Sequence, residues 1–352
     1  MNTVPGTGQA GYWGHLRVRR AESALQLFLR AFLPFVVVLL TAGAAALNWR
    51  IDALDRDLDV TIGAFLELAG ERFEKDITIP IQDLQYLSRE LRSRALLTST
   101  LASRLRHLAL ARERYTSIRI IDVRGSELLH IDSTSQQMVG QSPAHLGDWS
   151  RSNLFTTLGS MRDGELYVSS FELHASRGKV VEPIEPILRF AVPLSSTTGQ
   201  RSGFLVIDLD ARPSLAALKV ANPNGYVELL TNDGYWVKAH DPELEWGAVL
   251  SERERVLFST MNARAWGEMI KQPQGKVRTE NGAFWFRNVQ PPAPSVDSPS
   301  WKLVLHVPQD RLRARNLGVI SGLALLALAA AAIAAPFYWW LAHKARPTNA
   351  AV

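Results

Sequence analysis

The sequence predicts an α+β fold: a long N-terminal helix carrying two antiparallel-sheet modules, flanked by two transmembrane helices. Three observations predict it. Long apolar runs lie near both ends of the chain. Directly after the first run, apolar residues recur at three- and four-residue steps, the period of a helix. Beyond Tyr115 the pattern changes to short strand-like stretches separated by turn residues, and this texture occurs twice.

The first apolar run is AFLPFVVVLLTAGAAALNW (Ala31–Trp49), between Arg30 and Arg50. The second is LGVISGLALLALAAAAIAAPFYWWLA (Leu317–Ala342), between Arg315 and Lys344. Each is long enough to cross a hydrocarbon core of roughly 30 Å as one helix. A soluble core helix of this length without a charge is rare. A cleaved signal peptide would have a shorter apolar core, although Ala44 and Ala46 faintly resemble a cleavage site. Pro34 and Pro336 lie inside the runs, which membrane helices tolerate better than soluble ones. Arg17, Arg19, Arg20 and Arg30 precede the first run, so basic-residue bias places the N-terminus in the cytoplasm. Lys344 and Arg346 fit a cytoplasmic tail after a second crossing, while Arg311, Arg313 and Arg315 argue weakly against it. Trp49 and the Tyr338, Trp339, Trp340 group suit interfacial belts.

After the first span, Ile51, Leu54, Leu58, Ile62, Phe65, Ala69 and Phe73 form one helical stripe. Pro80 predicts a kink or break in it. Leu84, Leu87 and Leu91, then Leu101, Leu105 and Leu108, continue the amphipathic pattern. One part of the stripe packs on its own domain, and the part nearest the membrane suits a seam with a second copy. YTSIRIIDVRGSELLHID reads as a hairpin turning at Arg124-Gly125. Strands are expected at Gly164–Phe171, Ile187–Leu194 and Gly203–Asp210. The second set comprises YVELL (Tyr226–Leu230), YWVKAHD, a hairpin turning at Asn281-Gly282, and Ser300–Pro308. Asp241-Pro242 predicts a capped short helix, and Ser251 with Glu254 a capping box for a helix through about Met261.

Composition excludes several classes. The chain has no cysteine, which removes disulfides, thiolate metal sites and cysteine nucleophiles. The net charge of +5 comes from scattered basic residues, so a nucleic-acid partner has no support. His130, His145, His174, His240 and His306 show no metal-ligand spacing, and there is no nucleophile-elbow motif. Asp233, Asp241, Glu243 and Glu245 lack the alternation of a calcium loop. No enzyme activity, cofactor or metal is expected.

These residues together resemble the double Cache sensor domains of bacterial membrane receptors, in which two PAS-like modules ride on one long helix. The stretches that carry the resemblance are YTSIRIIDVRGSELLHID, GELYVSSFELHASRGKVVEPIEPILRFAVPL and NDGYWVKAHDPELEWG. It covers roughly Ile51 to Pro308. It implies a cytoplasmic tail (1–30), a first span (31–49), a helical stalk (50–112), a membrane-distal module (113–222), a membrane-proximal module (223–316), a second span (317–342) and a short tail (343–352). Such receptors continue into HAMP, kinase, cyclase or methyl-accepting domains. This sequence has no Gly-Gly-Asp-Glu-Phe run and no kinase nucleotide-binding glycines. The expectation is therefore a sensor in the bacterial inner membrane without its own catalytic output. Its large domain would lie outside and both termini inside. It would act as a homodimer and signal to a separate kinase or diguanylate cyclase. A structural component docking another envelope protein, or a truncated receptor, remains open.

The resemblance also implies a small-molecule site in the first module. Asp208 resembles the strand aspartate that pairs with a ligand amine. Trp149 and Arg151 fall near the family's aromatic and arginine contacts, and the usual Arg-x-Trp-Tyr pattern is not reproduced. Tyr115, Tyr167 and Arg189 are further candidates, and an arginine fork suits a carboxylate. The residues alone leave alternatives open: a structural ion pair of Arg189 with Glu182 or Glu185, a solvent-facing Asp208, and a core-filling Trp149.

Overall fold

The computed structural model describes residues 23–92, 99–133, 146–176, 179–180, 182–218, 222, 224–292, 295–296 and 298–345. The basic tail before Ser23, His145 and Arg346 lie outside the described residues. The chain forms two compact units. One holds the residues up to Leu54 and from Arg315 onward; the other is Asp55–Ala314.

Helix α1 (Ala24–Leu91) passes Pro80 unbroken, where the sequence predicts a kink or break. The loss of one backbone donor is outweighed by packing, because Ile77, Ile81 and Leu84 on either side of Pro80 are all buried. Helix α2 (Ser99–Ala111) follows, then β1 (Tyr115–Asp122) and β2 (Glu127–Asp132). Their turn closes when the Asp122 carboxylate accepts from the Arg124 and Ser126 amides, both at 2.8 Å. Gly125 sits there at φ +92°, and a side chain would collide with the Ser150 backbone. Helix α3 (Asn153–Ser160) is capped by Ser152, whose hydroxyl accepts from the Phe155 amide at 3.1 Å.

The strand expected over residues 164–171 is only β3 (Leu166–Val168). Short β4 (Glu172–Leu173), β5 (Ala175–Ser176) and β6 (Lys179–Val180) come next. Long β7 (Pro186–Ser195) and β8 (Arg201–Asp210) pair antiparallel, and α4 (Arg212–Leu218) ends the first module.

The second module opens with β9 (Tyr226–Thr231) and β10 (Trp236–Lys238). Asp241 caps a 3₁₀ turn at Pro242–Leu244, its carboxylate accepting from the Glu243 amide. The helix expected from Ser251 to Met261 is instead a 3₁₀ turn at Ser251–Arg253, then α5 (Phe258–Met261) and α6 (Ala263–Met269). Full burial of Phe258, Ala265 and Met269 sets these helices, a tertiary demand that overrides the local capping signal. Strands β11 (Gln274–Thr279) and β12 (Gly282–Val289) form a hairpin, with Gly282 at φ +136° against the Val307 carbonyl. Then come β13 (Ser295–Val296), β14 (Trp301–Pro308) and α7 (Gln309–Lys344).

The first sheet has the order β13-β3-β7-β8-β1-β2, with β4 also on β7, and the second β10-β9-β14-β12-β11. Strand β13 reaches back from the second module to pair in parallel with β3. The architecture is thus α+β, with a long helix and two mainly antiparallel sheets.

Alternation decides which residues of each strand meet α1. Ile118, Ile120, Leu205, Ile207, Leu188 and Phe190 of the first sheet join one hydrophobic cluster with Ile77, Ile81 and Leu84 of α1. Trp285, Trp301, Leu303 and Leu305 of the second sheet join the same cluster. Charged clamps repeat that division. Asp59 of α1 binds Lys276 and accepts from Trp285 Nε1 at 2.9 Å. Further along, Asp76 pairs with Arg114 at 3.0 Å, and Asp83 with Arg112 at 2.9 Å.

In the other unit, α1 and α7 are long and apolar enough to cross a membrane. They pair through Phe28 with Trp339 (ring centroids 5.6 Å apart) and Phe32 with Tyr338 (5.8 Å).

Candidate functional site

The face of the first sheet turned away from α1 holds a buried charged cluster. Strand register builds it. Asp208 on β8 lies opposite Ser117 on β1 and Arg189 on β7. Arg189 grips the Asp208 carboxylate with Nε to Oδ1 at 2.7 Å and Nη2 to Oδ2 at 3.3 Å. Ser117 donates to Oδ2 at 3.0 Å, and Arg119, two residues along the same strand face, reaches the same oxygen. Each guanidinium has a second acidic partner. Arg189 donates to Glu172 at 2.8 Å, and Arg119 Nε lies 3.2 Å from Glu127. Glu127 in turn accepts from the Gly147 amide at 2.7 Å and lies 3.7 Å from His130 Nδ1.

Trp149 covers this network. Both guanidiniums sit over its ring, Arg119 at 5.4 Å and Arg189 at 5.5 Å from the centroid. A planar cation over an indole face is attractive, more so when water is excluded. Beside the charges, Ile121, Ala191, Phe204, Val206, Leu158 and Met161 make an apolar cluster, with Tyr167 packed on it.

The charges shape one another. Burial would raise the Asp208 carboxyl, but the Arg189 and Arg119 guanidiniums outweigh it and hold the group well below the usual carboxylate range. Burial pulls Arg189 down, yet Asp208 and Glu172 push it above its ordinary value. Glu172 is raised because its burial outweighs the pull of Arg189. His130 is lowered by burial and by Arg119. Its Nε2 is buried without a hydrogen-bond partner among the described residues.

Of the residues singled out from sequence, the structure brings Trp149, Asp208 and Arg189 together, with Tyr167 alongside. Tyr115 and Arg151 are not among them. Tyr115 points to the opposite face, donates to Asp83 of α1 at 2.5 Å, and has its phenol raised by burial and that bond. A register shift between Tyr115 and Ser117 separates it from the Ser117–Arg119 face. Arg151 is exposed in the turn before α3. Arg189 does form a structural ion pair, but with Asp208 and Glu172; Glu185 instead lies 3.3 Å from Arg212. Asp208 is 2 % exposed, so it does not face solvent. Sequence reasoning missed Arg119, Ser117, Glu127, Glu172 and His130. The available signal was Arg119 itself, a charge inside the apolar strand YTSIRIID on the same side as Ser117.

A comparison with curated protein sequences gives no match. Solved structures share the fold. A domain of a protein assigned to the sensory box/GGDEF family of Vibrio parahaemolyticus is 20% identical with a TM-score of 0.52; the match covers 81% of this chain and 99% of that one. The periplasmic sensory domain of the Campylobacter jejuni chemoreceptor Tlp1 is 11% identical with a TM-score of 0.56, covering 73% and 97%. The ligand-binding domain of the Pseudomonas fluorescens chemoreceptor CtaA, solved with L-serine, is 15% identical with a TM-score of 0.51, covering 72% and 98%. The profile of the sensor domain of bacterial histidine kinases matches residues 84–293, more than half of the sequence. With its helix-borne pair of sheets flanked by apolar helices, the chain belongs to the bacterial histidine kinase sensor domain family.

Proposed function

We propose that this chain is a two-pass sensor of the bacterial inner membrane that binds a small molecule on the outer face of its first module. The observation that carries this reading is the buried Asp208–Arg189–Arg119 cluster under Trp149. Buried ion pairs add little to stability, and breaking one strands a charge at a cost of about 3–5 kcal/mol. A ligand entering here must therefore replace each charge that it displaces. A zwitterion carrying an amine and a carboxylate meets that condition, the amine on Asp208 and the carboxylate on a guanidinium. A lone amine or a lone carboxylate satisfies one partner and leaves the other unmatched. The CtaA domain, which shares the fold, was solved with an amino acid.

The remaining parts of the reading rest on chemistry and geometry. The first span has its basic flank on the N-terminal side, which supports cytoplasmic termini. The pairing of Phe28 with Trp339 is consistent with both termini on one side. Val60 and Leu68 of α1 are 72% and 68% exposed, which suits a homodimer seam. Signalling would pass by ligand-biased helix geometry to a kinase or cyclase, and this requires different affinity for two states. The cluster's groups are engaged in ion pairs with one another, which suits recognition rather than catalysis.

The test is thermal denaturation of the full chain in lipid nanodiscs against amino acids, their decarboxylated amines and their deaminated acids. Zwitterions should raise the Tm, the other two classes should not, and Arg189→Gln should abolish the shift. An absence of any shift across the panel would remove direct sensing at this face.

A further inference from the structure

A cleft lies where the modules meet. It has a volume of about 330 Å³ and is lined by Arg212, Leu215 and Ala216 of α4 and by Lys238, Trp246 and Arg253 of the second module. That is within the range of small-molecule sites, which combine apolar walls with a few placed polar groups. It shares no residue with the Asp208 cluster.

The polar groups of this cleft are unequal. Lys238 is neutralised by Glu245, a carboxylate only 9% exposed that also accepts from the Ala239 amide at 3.1 Å. Arg212 is held by Asp210 at 2.9 Å and lies near Glu185. Arg253 differs. Its Nη1 donates to the carbonyls of Pro242 (2.8 Å) and Glu245 (3.1 Å), which orient it without cancelling its charge. Among the described residues its acidic partner within 4 Å is Glu243, 3.7 Å away and 82% exposed. A pair so far out in solvent screens little. The cleft thus offers one fixed guanidinium with charge to spare beside an apolar wall.

The wall is itself unusual. Trp246 has φ +70°, the left-handed region, and is the non-glycine residue with positive φ among those described. For a bulky side chain this conformation is costly and persists only where the surroundings impose it, commonly at ligand clamps and switches. Here the Trp246 amide is tied to the Trp236 carbonyl at 2.9 Å, and its carbonyl accepts from the Val249 and Leu250 amides. Its ring meets Phe171 of the first module at 6.5 Å, and Phe171 meets Phe73 of α1 (6.1 Å) and Trp301 (5.2 Å).

We propose that this intermodule cleft is a second binding site, for a small carboxylate with an apolar body, its carboxylate on Arg253 and its apolar part against Trp246 and Leu215. Occupancy bears on Trp246 and through Phe171 on Phe73, so the site reports to α1 independently of the first-module cluster.

The test is calorimetric titration of the full chain in nanodiscs with phenylacetate, hexanoate and indole-3-acetate, empty nanodiscs serving as blank. At least one carboxylate should bind at one site per chain, and its amide analogue should bind at least tenfold more weakly. Arg253→Gln and Ala216→Phe should each weaken binding at least tenfold. Ala216 is exposed at the cleft mouth, so its enlargement fills the site without disturbing the core. A saturating zwitterionic amino acid should leave this binding unchanged, which separates it from the first-module site. No heat with any of the carboxylates, equal binding of the amide, or unchanged affinity in both cleft variants would overturn the proposal.

Discussion

The two sheets treat their inner faces alike and their outer faces differently. Both inner faces bury branched and aromatic residues in one cluster with α1. On the outer face, the first module buries Asp208, Arg119 and Glu127. The second buries Leu230, Trp236, Phe258, Phe284, Phe286 and Val304 as a conventional core. It also buries Glu228 and Lys302 there, but without a guanidinium cluster: Glu228 accepts from Trp236 Nε1 at 3.2 Å and pairs with His240 at 2.8 Å, and Lys302 donates to Asn288 at 2.6 Å. The difference teaches where stability and exchangeability lie. An aromatic core is held by area removed from water. An ion cluster sits near break-even against desolvation and can be rearranged by a ligand that matches its charges.

The largest expected effect is in the second module. Phe284→Ala removes a fully buried ring and should cost about 3–5 kcal/mol in urea unfolding. Next is Asp208→Asn, which leaves two guanidiniums without their shared carboxylate and should cost about 3 kcal/mol. The comparison is sharpened by replacing the whole cluster: Arg119→Met, Arg189→Met, Asp208→Leu, Glu127→Gln and Glu172→Gln together should change stability less than Asp208→Asn alone. If that fivefold variant unfolds, the first outer face is a structural core as the second is. Smaller is Tyr115→Phe, which loses the bond to Asp83 on the inner side and should cost about 1–2 kcal/mol without altering ligand-induced Tm shifts.

The smallest effect is in pH dependence, and its sign differs between the modules. His240 is raised by its hydrogen bond to Glu228, with burial opposing. Its contribution is complete below the unfolded value of about 6.5 and fades as pH rises through the higher folded value. His130 is lowered by burial and by Arg119. Its contribution is present above about 6.5 and fades as pH falls through the lower folded value. Urea midpoints between pH 5 and 8 should therefore flatten on the alkaline side in His240→Gln and on the acid side in His130→Gln.

Much of the fold was legible because its signals are local. The YTSIRIIDVRGSELLHID hairpin turning at Arg124-Gly125 and the Asp241 cap need only neighbours in sequence. Signals that compete with burial were misread. Pro80 does not break α1, and Ser251 starts only a 3₁₀ turn instead of a helix running to Met261, because packing of Ile77 and Phe258 dominates the local preference. At the candidate site, Asp208, Arg189 and Trp149 were visible as residue types of the right chemistry. Arg119 and Glu127 were not, since a charge within an apolar strand says nothing about which strand lies beside it.

The amino-acid sequence by itself determined the two long apolar helices, the helical stripe after the first, and the alternation that gives each strand two faces. These follow from period and length, which each segment carries alone. Only the tertiary structure decided the partners of Asp208: Arg189 is 19 residues away in sequence, Arg119 is 89 and Ser117 is 91. Pairing of β1, β7 and β8 in one register brings them within hydrogen-bond distance, and a one-residue slip would turn each to the opposite face. The register is held by the hydrophobic cluster on the inner face of the sheet, so the packing against α1 is what assembles the charged site on the other side.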